Sequence, residues 1–185
     1  MGQLAEKVQD DRCEAPPYMI NITDPVFQSM QGNYFLGQTR LLVFGDGSHT
    51  WGALVNPPDS QVNLSIDNFS VSNYSTYPFV AQIWFNGMVQ CPFVLSDKVS
   101  AANTALQPVP KPRVQLQFAE SVAVRPAGGV NPLNQIVSPR STVVDDKGGK
   151  FILPPGGSFL IFLVPPGACM VRARIGFGWW ETQVC

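Results

Sequence analysis

The sequence predicts an all-β protein, a two-sheet antiparallel sandwich of jelly-roll type carrying an extended N-terminal arm. Three observations predict it. Short apolar stretches alternate with period two, which places successive side chains on opposite faces of a strand. The 16 glycines and 17 prolines among 185 residues punctuate these stretches at turns. Helical periodicity is almost absent. Eight to ten short strands are expected, and an immunoglobulin-like sandwich is the alternative architecture.

Residues 1–17 read as a flexible connector arm, polar and ending in Pro16-Pro17, which force an extended exit. Residues 18–185 then form one β domain, a length that suits a single core. Tyr18, Ile20 and Ile22 share one parity, as in a first strand or a strand lent to a neighbour. Arg40 to Phe44 makes a short strand, Gly45-Asp46-Gly47-Ser48 a hairpin-type turn, and Trp51 to Val55 the return. Val62, Leu64 and Ile66 alternate, but Phe69 and Val71 take the opposite parity, which predicts a bulge near Asp67-Asn68.

Phe79, Ala81, Ile83 and Phe85 form the next alternation. Ser96 to Pro112 is rich in proline and alanine and reads as a long surface connection. Val114, Leu116, Phe118, Val122 and Val124 follow, with Gln115 and Gln117 facing away and Glu120 on the apolar parity, so the strand ends or bulges there. Asp145-Asp146-Lys147-Gly148-Gly149 reads as a polar hairpin turn before Phe151-Ile152-Leu153. Leu160-Ile161-Phe162-Leu163-Val164 is apolar on both parities and must be covered on both faces, by loops, the arm or another subunit. The last strand carries Val171, Ala173, Ile175, Phe177 and Trp179 on one parity.

Composition narrows the function. Twelve basic and thirteen acidic residues give a formal charge of -1, and no Lys/Arg stripe is available to displace the counterions of a nucleic acid. No apolar run is long enough to span a bilayer as a helix. The N-terminal segment Met1-Gly2-Gln3-Leu4-Ala5-Glu6-Lys7 lacks the apolar core of a secretory signal, so export by the general route is not expected. The Asn-x-Ser/Thr sequons at Asn21, Asn63, Asn68 and Asn73 read as chance matches in an Asn/Ser-rich chain.

Four cysteines are present: Cys13 in the arm, Cys91, Cys169, and Cys185 at the end. They lie far apart with no C-x-x-C pair, which argues against a zinc site, and three intramolecular pairings are formally available. Two readings stay open, four reduced thiols or disulfides between subunits through the terminal Cys13 or Cys185, with Cys91 and Cys169 as receiving thiols. Parity places Trp84 beside Gln82 and Asn86, and Trp180 beside Arg172 and Arg174, all facing outward. That face predicts a contact with another subunit or a sugar ring. The single histidine, His49, sits in a turn with no nucleophile beside it, and no G-x-S-x-G or phosphate-cradling loop occurs, so enzymatic activity, cofactor and metal are not expected.

Several stretches carry a resemblance. Gly32-Asn33-Tyr34-Phe35-Leu36-Gly37-Gln38-Thr39, Asn56-Pro57-Pro58-Asp59-Ser60, Phe151-Ile152-Leu153-Pro154-Pro155-Gly156-Gly157 and Arg172-Ala173-Arg174-Ile175-Gly176-Phe177-Gly178-Trp179-Trp180-Glu181 together resemble an uncharacterised domain family of spore-forming Firmicutes. The architecture is also similar to endospore appendage subunits, jelly-roll domains whose N-terminal connectors crosslink to preceding subunits through cysteines. That resemblance implies a homopolymeric fibre or surface layer, with other spore-surface proteins as partners and release to the spore surface by mother-cell lysis. Those connectors often carry paired cysteines, whereas this arm has Cys13 alone. A carbohydrate-binding sandwich using its outward tryptophans is the alternative function, and the cytoplasm the alternative location.

Overall fold

Period-two alternation gives each strand one apolar face, and two such faces bury each other only by stacking as sheets. The computed structural model, which describes residues 21–184, forms this arrangement from one helix and twelve strands. Helix α1 (Asp24–Met30) precedes β1 (Tyr34–Gln38), β2 (Leu42–Phe44), β3 (His49–Val55), β4 (Val62–Asn73) and β5 (Phe79–Phe85). Then come β6 (Val94–Leu95), β7 (Val99–Ala101), β8 (Gln115–Val122), β9 (Val130–Val137), β10 (Thr142–Leu153), β11 (Ser158–Val164) and β12 (Val171–Gln183).

The first sheet runs β10-β4-β12-β1-β7, with β2 pairing the first part of β12; the second runs β6-β8-β3-β11-β5-β9. All pairs are antiparallel. The central orders β1-β12-β4-β10 and β3-β11-β5-β9 nest early strands against late ones, which is the jelly-roll pattern. Strands β6, β7 and β8 widen one side.

Between the sheets lie Phe44, Leu54, Leu64, Phe69, Phe79, Ile83 and Trp179, all fully buried. Phe159 is the hub, with ring centroids 5.5 Å from Phe69, 5.7 Å from Phe85, 6.1 Å from Phe151 and 6.3 Å from Phe177. Strand β11 is central in its sheet, as its two-sided apolarity requires. Phe159, Ile161 and Leu163 face the main core, while Leu160 and Phe162 join Trp51, Ala53, Ala119 and Val122 in a second cluster on the outer face. That cover comes from this chain's own residues.

Both expected irregularities occur. Gly178 pairs Asn68 and Trp179 pairs Ile66, so Asp67 is the extra residue of a bulge. Trp51 pairs Ala119 and His49 pairs Val122, so β8 bulges at Glu120-Ser121, with Ser121 at φ 53°.

Other expectations need correction. The turn at Gly45–Ser48 closes with backbone bonds of 3.2 and 2.9 Å, yet β2 pairs β12 while β3 pairs β8 and β11. The turn itself is the expected hairpin type, an antiparallel Gly45–Ser48 bridge, but the strands it joins continue into different sheets. Ile22 lies in irregular chain before α1, not in a strand; Pro25 at the helix start and the turn at Gly32 set a short helix that apolar spacing alone did not reveal. Tyr18, Ile20, Cys13 and the 1–17 arm lie outside the described residues, as does Cys185. Val124 is exposed beyond the end of β8. The 96–112 connection contains β7. Asp145 to Gly149 is no turn between strands but the middle of β10, bulged between Asp146 and Phe151.

Candidate functional site

The β10 bulge explains the fate of Trp180. Gly148 and Gly149 both take positive φ, 53° and 76°. A Cβ on Gly149 would fall 2.0 Å from the Trp180 ring, so only glycine lets the bulge lie across the indole. Tyr34 stacks on the same ring at 6.3 Å between centroids. Trp180 is thereby 6% exposed, which corrects the reading of it as an outward contact residue. The Tyr34 hydroxyl donates to Asp67 Oδ2 at 2.6 Å, and Asn68 Nδ2 donates to the same oxygen at 3.0 Å. Burial first, then the hydrogen bond and charge of Asp67, push the Tyr34 phenol upward.

Trp84 is half-buried on the opposite sheet, with Nε1 donating to Gln82 Oε1 at 3.4 Å. Arg172 is exposed; Arg174 is half-buried and its Nε has no partner among the described residues. These residues occupy different sheets, so the two tryptophans and two arginines expected on one contact face do not form one.

Cys91 and Cys169 are free thiols, both half-buried. Cys91 accepts a hydrogen bond from Trp51 Nε1 at 3.4 Å. It lines a cleft of about 290 Å³ over the outer face of the second sheet, with Trp51, Val55, Met88, Phe93 and Leu160. Cys169 sits in the loop entering β12, its carbonyl facing Gly45. No disulfide joins them. Among the described residues no group of three or more His, Cys, Asp or Glu is placed to hold a metal ion, and no helix is long and apolar enough to cross a membrane. His49 Nδ1 is buried with no hydrogen-bond partner among the described residues, and burial, then the charge of Arg125, hold the imidazole pKa below its usual value. Asn73 is buried and donates to the carbonyls of Tyr77, Val137 and Ser138, so its sequon is closed to modification in the folded chain.

The surface that stands out is one flank of the sandwich. Among the described residues, strands β9 and β10 are the outer strands of opposite sheets, and each leaves a row of backbone N–H and C=O groups with no strand partner there. Val130 and Ile136 on β9, and Val144 and Ile152 on β10, are exposed. Their inward neighbours meet between the sheets: Lys147 Nζ lies 2.6 Å from Asp145 Oδ1, and Gln135 Nε2 donates to Asp145 Oδ2 at 2.8 Å. Sequence reading missed this flank because β9 and the first part of β10 carry apolar residues on both parities. Pro132 and Gly148-Gly149 also read as turn signals; the pair Ile136-Val137 before Ser138-Pro139 was the available sign of a strand end.

Residues 10–185 match the sequence profile of DUF6143, a family of unknown function. The chain belongs to this family. The match spans the whole sandwich, so the flank and the cleft both fall within the DUF6143 domain. No curated protein matches. No solved structure matches.

Proposed function

We propose that this DUF6143 chain is a structural subunit that self-assembles into a disulfide-crosslinked, spore-associated fibre or surface layer. The observation that carries the reading is the open β9/β10 flank, where free strand edges coincide with the exposed apolar side chains Val130, Ile136, Val144 and Ile152. Such edges template strand addition by another chain. The occupant is a second copy, whose N-terminal segment supplies Tyr18 and Ile20 at strand spacing. A donor segment and an acceptor edge at different places on one chain make a heterologous contact, and a heterologous contact that does not close gives a filament. Cys13 or Cys185 then links copies to each other or to Cys91 or Cys169, with molecular oxygen or a small disulfide as oxidant. No enzymatic role is proposed, and location at the spore surface follows from the same reading.

The test is gel electrophoresis of the oxidised protein with and without reductant, beside Cys13→Ser and Cys185→Ser, paired with negative-stain microscopy. A ladder that collapses with reductant and in a tail variant, together with visible polymers, is expected. Monomer bands and bare grids under oxidising conditions at high concentration would overturn the proposal.

A further inference from the structure

The inward side of the same flank holds an arrangement that assembly does not use. Lys147 on β10 and Gln135 on β9 belong to strands of different sheets, and both engage the one carboxylate of Asp145. Asp145 Oδ1 faces the lysine amine at 2.6 Å; Asp145 Oδ2 accepts from the glutamine amide nitrogen at 2.8 Å. Water is largely excluded, the Lys147 and Asp145 side chains being 18% and 17% exposed. The amine lies over the rings of Phe151 and Phe69, 5.1 and 6.0 Å from their centroids. Gln135 Oε1 is buried and accepts no hydrogen bond among the described residues, so the amide is held by its nitrogen alone.

We propose that Lys147 and Gln135 condense into an isopeptide bond that staples the two sheets together, with Asp145 as proton relay. The chemistry requires a base on the nucleophile and an acid on the leaving group, and one carboxylate touches both atoms. Asp145 takes a proton from the lysine ammonium. The neutral Nζ attacks Gln135 Cδ, and the amide carbonyl becomes a tetrahedral oxyanion. The protonated Asp145 passes its proton to Nε2, the Cδ–Nε2 bond breaks, and ammonia departs as the carbonyl re-forms. Of the two protons left on Nζ, one stays as the amide N–H and the other passes through Asp145 to the ammonia, giving ammonium. The balance is one lysine ammonium and one carboxamide giving one secondary amide and one ammonium ion, with no oxidant or reductant. Holding both groups on one carboxylate supplies the proximity that makes an unreactive amide accessible to an amine.

Intact-mass spectrometry of the reduced, purified full chain tests this. The expected result is a mass below that of the sequence by one ammonia, about 17 Da, with fragment ions joining the peptides of Gln135 and Lys147. Lys147→Arg, which keeps the charge beside Asp145, and Asp145→Asn, which keeps both reacting groups, should each restore the full sequence mass. Circular dichroism matching the unsubstituted protein would show that both variants fold. An unsubstituted chain at full sequence mass overturns the proposal, as does an ammonia loss located elsewhere or one that persists in Lys147→Arg. A crosslink retained in Asp145→Asn overturns the relay.

Discussion

The two flanks of the sandwich solve the problem of a sheet edge differently. On one side the sheets end in β6 and β7, two and three residues long, followed by the irregular chain that leads to β8. Phe93, Val94 and Leu95 are exposed there, but so short a strand offers little to pair with. That side is also pinned from within: the buried Glu181 carboxylate accepts the backbone N–H groups of Arg113, at 2.9 Å, and Val114, at 3.0 Å, together with Trp179 Nε1 at 3.2 Å. On the other side β9 and β10 run for eight and twelve residues. Among the described residues their outer edges carry Pro132, the β10 bulge and the inward-pointing Lys147, and no further strand pairs with Leu133–Val137 or Thr142–Asp146. A chain that shortens one pair of edges while leaving the other long presents a directional surface.

Substitutions can break or sharpen this contrast. The largest effect is expected on the closed side. Glu181→Leu strands two backbone donors and an indole N–H in the interior and should cost about 3 kcal/mol in denaturant unfolding, with no change in the β9/β10 surface. A similar but slightly smaller loss, about 2–3 kcal/mol, is expected of Gly149→Ala, since the new methyl group meets the Trp180 ring and the residue sits at φ 76°. This variant should also raise tryptophan exposure, measurable as a red shift in fluorescence. Ile136→Lys with Val144→Lys should change monomer stability by no more than about 0.5 kcal/mol yet abolish polymers in negative stain. The matched pair Val94→Lys with Leu95→Lys should leave polymers intact, and loss of polymers in both pairs would erase the distinction between flanks.

The smallest effect belongs to neither flank. The His49 pKa is depressed in the fold, so the neutral form is favoured there. Its contribution is fully present above the unfolded value of 6.5 and is lost as pH falls below it. A slight fall in Tm between pH 7.5 and pH 5.5 should shrink in His49→Phe, and an unchanged pH dependence would remove His49 from the account.

What could be read from the sequence divides along the same line. Strands with one apolar and one polar face were legible, and so were their faults: the parity change at Asp67-Asn68 and the misplaced Glu120 each marked a real bulge, because a bulge must shift every later side chain to the other face. Strand β11 was legible for the opposite reason, since apolarity on both faces admits only a central position. The β9/β10 flank was hidden by glycines and a proline that ordinarily mean turns and here mean bulges. Trp180 misled because parity reports the face of a sheet, not what lies upon that face; the cover came from Gly149, thirty-one positions earlier in the chain. Helix α1, seven residues long with no buried side chain, left no periodic trace.

The nested pairing also has a consequence in time. Strand β12 lies in the middle of the first sheet, bonded to β4 on one side and to β1 and β2 on the other. During synthesis those early strands wait for residues 171–183 before they can be joined. That sheet can therefore close only after residues 171–183 have left the ribosome, and folding has mostly distant pairings to find. Chains terminated before residue 171 lack the middle of a sheet, so the order of the strands alone keeps them from forming the finished sandwich.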